Sequence, residues 1–344
     1  MAEQERGQIG VLLMAYGSPN SLDEVEPYYT DVRGGKPPTP ELLAQLKERY
    51  RMVGGRTPLL DISQAQADGL QRRLDTEAPG RYRVYLGMKH WHPFLEAPVR
   101  QMEAEGISEA IAIALAPHYS RMSIGGYVER VEKAQATLAA KRAESGRAAR
   151  AARAARAAGA DETAQQTQTR VTFVQSWHDE PAFLDALAGA VRTALQGVFA
   201  AEERERVFVL FTAHSLPQRI KTWDDPYERE LLATSHEVAQ RLGLPAERWG
   251  FAFQSAGRTS EPWLGPDILD KVRELVATGQ RAFLVCPVGF ISEHLEIFYD
   301  IDVEAKQLAH ELGIHLERIE MLNASPPLVE ALAAVVRKHT PPTS

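Results

Sequence analysis

The sequence predicts an α/β protein built from two similar doubly wound halves, each with a four-stranded parallel sheet. Three observations carry this expectation. Short β-branched and aliphatic runs alternate with longer amphipathic segments, the pattern of parallel strands joined by crossover helices. There are eight such runs, which divide into two groups of four. Polar and aromatic residues collect just after the runs, where open α/β sheets bind their ligands. At 344 residues, with 44% hydrophobic and 25% charged positions, the chain has apolar material for one large or two ordinary domains.

Strands are expected at 9–15, 82–88, 110–116, 171–175, 207–212, 249–254, 282–288 and 314–319. Helical periodicity marks 40–53, 62–76, 123–140, 181–195, 227–242, 266–277 and 291–312, with a last helix at 327–338. The chain thus divides into a first lobe at 1–169, a second at 170–324 and a C-terminal segment at 325–344, whose helix is expected to pack back on the first lobe. Between about 139 and 169 the composition shifts to Ala and Arg, with Arg-Ala-Ala recurring from Arg147 through Arg150 and Arg153 to Arg156. Both are good helix formers, yet the stretch lacks large apolar side chains and ends in Gly159, Asp161 and Gln-rich sequence. It reads as an exposed insertion extending the helix that starts at 123. Its arginines have no interleaved aromatics, so a nucleic-acid patch is the weaker reading.

Composition removes several classes. A net charge of −7 gives no global attraction to nucleic acid or anionic lipid. The polar start, Met-Ala-Glu-Gln-Glu-Arg-Gly-Gln, runs straight into a strand, and no apolar run approaches the ~18 residues of a membrane span. A cytoplasmic protein without stable membrane insertion is expected. The single cysteine, Cys286, excludes an internal disulfide and an all-cysteine iron–sulfur cluster or zinc site within one chain. Its setting, Phe-Leu-Val-Cys-Pro-Val, reads as strand core. Neither Met14-Ala-Tyr-Gly-Ser-Pro19 nor Gly54-Gly-Arg-Thr57 has the glycine spacing of a nucleotide loop, and no Gly-x-Ser-x-Gly elbow is present.

The strand ends are well stocked. The first four finish Met-Ala-Tyr16-Gly-Ser-Pro, Met-Lys-His90-Trp-His92-Pro, Ala-Pro-His118-Tyr119-Ser120 and Ser-Trp177-His178. The fifth stops at Thr-Ala-His214-Ser-Leu-Pro, the sixth at Gln254-Ser-Ala-Gly and the seventh at Pro-Val-Gly-Phe290. A rim of His, Tyr and Trp along the ligand edge implies a metal or aromatic ligand in a cleft between the halves. Trp91, Trp177 and Trp263 are read as core.

After the seventh strand, Glu296, Asp300 and Glu304 recur every fourth position in a run with helical apolar periodicity. At ~1.5 Å rise per residue they form one ladder with rungs about 6 Å apart. Like charges so placed destabilise a helix by roughly 0.2–0.5 kcal/mol per pair, and no Lys or Arg lies three or four residues from any of them. One reading is a solvated acidic face. The other is a row of hard oxygen ligands that passes a divalent cation along the helix. Pairing a neutral His214 imidazole with Glu296 gives a mixed N/O site for a divalent first-row metal, one that can also accept protons. A structural zinc site would need four closed ligands, which no compact His/Cys spacing supplies.

Taken in order, Leu13-Met-Ala-Tyr-Gly-Ser-Pro19, Leu86-Gly-Met-Lys-His90, Leu115-Ala-Pro-His-Tyr-Ser120, Thr212-Ala-His-Ser-Leu-Pro217, the fourteen-residue run 254–267 and the run 287–300 resemble the ferrochelatase family. The likeness spans nearly the whole chain apart from the Ala/Arg insertion and is nearest the water-soluble coproporphyrin ferrochelatases. It implies two Rossmann-like, chelatase-type lobes, each a four-stranded parallel sheet flanked by helices. It also implies a lyase-class metal chelatase that inserts Fe²⁺ into a porphyrin without ATP, as a step of haem biosynthesis. A tetracarboxylate porphyrin, coproporphyrin III, is favoured over protoporphyrin IX.

By the same resemblance, His214 and Glu296 match the family's metal-handling pair, and Asp300 and Glu304 match outer carboxylates that relay metal inward. Tyr16 matches a tyrosine facing the porphyrin from the opposite side, where it can be an axial ligand of the product iron. Arg33, Arg49, Tyr50, Thr57 and Tyr127 match positions that bind the porphyrin and its propionates, Thr57 standing where serine is common. Physically, arginines at the mouth of an aromatic slot suit a carboxylate-bearing macrocycle, since guanidinium and carboxylate meet as a bidentate fork. The implied partners are porphyrin and Fe²⁺ as substrates, and a downstream haem-pathway enzyme that receives the product. No permanent cofactor is expected. The [2Fe–2S] centre that some members hold on clustered C-terminal cysteines is absent here, and a monomer is expected because no long apolar helix face is left over. The rival readings are a cobalt or nickel chelatase acting on an earlier tetrapyrrole and a non-catalytic haem carrier that uses Tyr16.

Overall fold

The computed structural model describes residues 7–155, 168–257 and 261–342. Arg156, Gly159 and Asp161 of the Ala/Arg stretch lie outside the described residues. The eight strands are β1 (Ile9–Ala15), β2 (Tyr82–Met88), β3 (Glu109–Ala114), β4 (Arg170–Val174), β5 (Phe208–His214), β6 (Trp249–Gln254), β7 (Ala282–Cys286) and β8 (His315–Arg318). They form two parallel sheets of equivalent order, β2-β1-β3-β4 and β6-β5-β7-β8. Each order reverses beside its first strand, which opens a crevice at the carboxyl ends of β1 and β3 and again at β5 and β7. β1 reads Ile-Gly-Val-Leu-Leu-Met-Ala and is buried at every residue, as a strand covered on both faces must be.

The helices are α1 (Val25–Val32), α2 (Pro40–Met52), α3 (Leu59–Glu77), α4 (Glu96–Ala104), α5 (Ile124–Ala155), α6 (Pro181–Val198), α7 (Ala201–Arg204), α8 (Tyr227–Leu242), α9 (Ile268–Ala277), α10 (Lys306–Leu312) and α11 (Pro326–His339). Local chemistry sets several ends. Thr39 caps α2 by accepting from the Leu42 N–H at 3.4 Å, with Pro40 in the first turn. Gly243 and Gly313 end α8 and α10 at φ of 65° and 62°, a region glycine enters at little cost. The periodicity did not mark α1 or α4. In α1, Pro27 interrupts the pattern but sits in the first turn, where its missing N–H has no helical partner to lose.

The expected lobe border at 169/170 needs correction. β4 pairs with β3 in the register Ile111↔Thr172, so it belongs to the first sheet. It is the strand to which the α5 crossover returns, and cutting before it would leave that βαβ unit open. The change of sheet falls between Val174 and Phe208. The halves also share their interior, because one buried cluster joins Val11 and Leu13 of β1 to Val209 and Phe211 of β5.

The last helix packs on α3 of the first lobe, as expected, and also on α6. Leu328, Leu332 and Val336, spaced four apart, form its buried stripe. Its polar edge is fixed by Arg73 Nε to Glu330 at 2.6 Å, Arg337 Nη1 to Glu77 at 3.0 Å and the Tyr82–Thr340 hydroxyl pair at 3.0 Å.

The largest departure is at 291–312, where one α-helix was expected. Residues 291–294 are bent and irregular, the helix begins only at Leu295, and Ile297–Ala305 is a π-helix that continues into α10. Asn323 holds the bent stretch by accepting the Glu293 N–H at 2.9 Å and donating its own N–H to Ile291 O at 2.7 Å. Those backbone groups are therefore not free for a helix.

Candidate active site

A cavity of about 540 Å³ opens between the lobes at the carboxyl ends of β1 and β5, within the range of small-molecule sites. The first lobe supplies Tyr16, Tyr28, Tyr29, Arg49, Tyr50 and Tyr127 to its wall. The second supplies His214, Trp263, Phe290, His294 and Glu296. An aromatic slot with few ionic groups suits a flat apolar ring, and the charged groups concentrate at particular points of it.

His214 is the last residue of β5, held in the sheet by pairing with Gln254. Tyr227 Oη donates to its carbonyl at 3.0 Å, and its Nδ1–H donates to Ser215 O. Nε2 then faces Glu296 Oε1 at 3.3 Å. The other oxygen, Glu296 Oε2, lies 3.4 Å from His294 Nε2. Gln254 accepts from the Thr212 hydroxyl at 2.9 Å and donates to Glu296 O at 3.4 Å, so strand and carboxylate are tied through one amide. Burial disfavours charge on His214, but the charge of Glu296 and their hydrogen bond outweigh it, pushing the imidazole up to about 9. Burial likewise opposes ionisation of Glu296, yet His214 holds its carboxyl well below the usual range. The resting pair at neutral pH is therefore imidazolium and carboxylate, whereas the sequence reading assumed a neutral ring.

Asp300 is buried on the π-helix and accepts a hydrogen bond from Ser255 Oγ. Burial first, and then the Glu296 charge, push it up to about 6, against the pull of Ser255 and Arg49. Glu304 lies half-buried beyond it. Neither borders the cavity among the described residues, so the row starts at Glu296 in the wall and continues behind it. In the wider π-helical turn, residues four apart fall just short of a full turn rather than just past one. The three acids still share a side.

The expected substrate contacts divide. Tyr16, Arg49, Tyr50 and Tyr127 border the cavity, and the Arg49 guanidinium lies 4.6 Å from the ring centre of Tyr299 on the π-helix. Thr57 does not border it. Its hydroxyl is 2.9 Å from Ser18 Oγ, which is 3.1 Å from Tyr50 Oη, so Thr57 acts on the wall through two other side chains. Arg33 is exposed at the end of α1, 5.6 Å from the Tyr29 ring centre, outside the cavity beside one of its lining residues.

Of the histidine rim, His90, His118 and His214 reach the cavity, while His92 and His178 do not. His90 lies 2.8 Å from Asp31, and burial pulls it down to about 4 despite that carboxylate, so it is neutral. Trp263, read as core, lines the cavity with its ring centre 6.4 Å from that of His214. Trp91 and Trp177 are buried as expected, as is Cys286. Sequence reasoning assigned no role to Lys89 or His294, although both stand inside the quoted motifs. Lys89 Nζ sits 5.1 Å from the Tyr127 ring centre, and burial lowers its pKa. A Cβ on Gly126 would fall 2.4 Å from that ammonium, so this glycine clears its place.

Gly289 gives a direct test of how β5 is seated. A Cβ there would lie 2.5 Å from Ala213 Cβ and 3.0 Å from its Cα, both rigidly attached to the strand. Gly289→Ala is expected to cost about 1–3 kcal/mol through overpacking, read as a lower midpoint in chemical denaturation.

The ferrochelatase family model matches residues 8–145 and 136–340. A ferrochelatase of Herpetosiphon aurantiacus is 47% identical over 326 residues, 95% of this chain and 97% of its own. A coproporphyrin III ferrochelatase of a Geobacillus species is 40% identical over 334 residues, 96% and 98% of the two chains. Among solved structures, SirB from Bacillus subtilis with Fe³⁺ covers 96% of this chain and 95% of its own, with a TM-score of 0.54 at 10% identity, a likeness of fold. Two equivalent four-stranded lobes, a histidine and a carboxylate facing each other across an aromatic cleft, and near-complete alignment lead to one assignment: the chain belongs to the ferrochelatase family.

Proposed function

We propose that this chain inserts Fe²⁺ into coproporphyrin III in haem biosynthesis, with the porphyrin in the interlobe cavity and the metal delivered by the row of acids. The observation that carries this reading is the His214–Glu296 pair, 3.3 Å apart, on the wall of an aromatic cavity that also holds Arg49 and Lys89. The two cations suit a substrate with several carboxylates. Binding energy from the ring and its propionates can bend the macrocycle so that pyrrole lone pairs meet the ion.

Glu304 and Asp300 would pass Fe²⁺ to Glu296 and His214, which exchange water for ligand at each step. His214 must release its proton before its Nε2 can bind metal, because a ligating imidazole is neutral. When the ion moves to the porphyrin, two N–H protons leave the ring. One returns to His214 and restores the ion pair, and the other departs by Glu296 or solvent.

Anaerobic incubation of the protein with Fe²⁺ and either coproporphyrin III or protoporphyrin IX, followed by absorption, tests this. The tetracarboxylate is expected to be metallated faster. Product binding without conversion of the free base would instead make the chain a haem carrier. Glu304→Gln is expected to raise the Fe²⁺ concentration needed for half-maximal rate by about tenfold while leaving the maximal rate in place. An unchanged iron dependence would remove Glu304 from the relay.

No helix among the described residues is long and apolar enough to cross a membrane. A monomer working in the cytoplasm and handing its product to a later haem-pathway enzyme fits this reading.

A further inference from the structure

Arg318, at the end of β8, has every N–H of its guanidinium engaged. Nε and Nη2 donate to the two oxygens of Asp302, each at 2.8 Å. Nη1 and Nη2 donate to the two oxygens of Glu293 at 3.0 and 3.1 Å, and Nη1 also donates to Ile319 O at 3.0 Å. The Arg318 and Glu293 side chains are each only 13% exposed, so water screens this pair little. A planar fork bound in two places has little freedom to swing.

The position of the two carboxylates gives the clamp its meaning. Asp302 stands on the π-helix between Asp300 and Glu304, and Glu293 directly precedes His294. Arg318 therefore closes a loop of chain that contains His294, Glu296 and Asp300. On a continuous α-helix, nine residues span about 13 Å along the axis, beyond one guanidinium. The clamp requires the non-helical stretch at 291–294 to fold back over the head of the helix. From the other side, the fully buried Gln66 of α3 donates to Ser292 Oγ at 2.9 Å and to Asn323 O at 2.7 Å.

We propose that Arg318 is a positioning residue: by gripping Glu293 and Asp302 it fixes the spacing of Glu296 and Asp300, and with it the Fe²⁺ concentration at which metal is captured. It rests on the reading above, in which these acids deliver iron. Arg318 does not border the cavity and would touch neither substrate.

The test compares full-length wild type with Arg318→Met, Arg318→Lys, Glu293→Gln and Asp302→Asn, assayed well below their unfolding midpoints. Arg318→Met is expected to raise the KM for Fe²⁺ by about tenfold or more, with porphyrin affinity by fluorescence quenching unchanged. Arg318→Lys should recover part of the loss, since an ammonium can hold a carboxylate but cannot fork to two. Glu293→Gln and Asp302→Asn each break one fork and should shift the same KM in the same direction; if Arg318→Met does not fold, they decide. An Fe²⁺ KM equal to wild type in both carboxylate variants overturns the proposal, as does a rise matched by an equal loss of porphyrin affinity, the mark of a merely structural ion pair. Direct Co²⁺ binding to each protein, read by calorimetry, separates the two ideas. A wild type that captures Co²⁺ but metallates no porphyrin refutes the function, while weaker Co²⁺ capture in the variants still supports the clamp.

Discussion

Replacing His214 with alanine is expected to lower the rate of iron insertion by at least about 100-fold, the scale on which a positioned acid–base group acts, while the protein still binds porphyrin. On the proposed reading, the substitution removes the metal's nitrogen ligand and a proton acceptor in one step. It also leaves the Glu296 carboxylate facing the His294 ring, 3.4 Å from its Oε2. The aromatic wall is untouched, so fluorescence quenching by bound porphyrin should persist. Stopped-flow absorption under anaerobic conditions measures the rate, and circular dichroism checks that the variant is folded. Turnover near that of wild type would remove His214 from the chemistry.

The second large effect is on pH. Because the His214 ring is pushed up to about 9 and a ligating imidazole must be neutral, a divalent ion competes with a proton. Its affinity should rise about tenfold per pH unit from 7 to 9, or about 100-fold in all, and then level off. Below about 6, protonation of Asp300 steepens the loss. Calorimetric titration with Co²⁺ in buffers of different ionisation enthalpy would also count the released proton. Glu296→Gln removes the charge that holds the proton on His214, so burial then lowers its pKa and the slope between 7 and 9 should vanish. Stability runs the other way. The raised His214 pKa contributes stability that is fully present below about 6.5 and lost as pH rises through 9. Asp300 is a raised carboxyl, so its contribution falls as pH climbs from 3.8 to about 6.

The strands could be read from the sequence because each is short, apolar and bounded by turn residues, and all eight exist in the structure. The pairing of His214 with Glu296 was expected from the abrupt end of the fifth strand, the row of acids after the seventh and the family resemblance, and the two side chains do lie 3.3 Å apart. The π-helix was not legible, since its acids recur every fourth residue, as an α-helix would also have them. The contacts that hold this segment come from further along the chain, Arg318 on Glu293 and Asp302 and Asn323 on Ile291 and Glu293, and no periodicity announces them. Thr57 and Trp263 failed in opposite ways for the same reason. Periodicity shows that a side chain is inside, and only the packing shows whether it meets the cavity or another residue.

The strap formed by α11 bears on how the protein is made. Every strand emerges from the ribosome before the segment that seals α3 and α6. Until that segment arrives, apolar surface on both halves stays open to solvent. The nascent chain is thus exposed to chaperones and to aggregation for nearly its whole synthesis, and a premature stop ahead of residue 326 would endanger both halves at once.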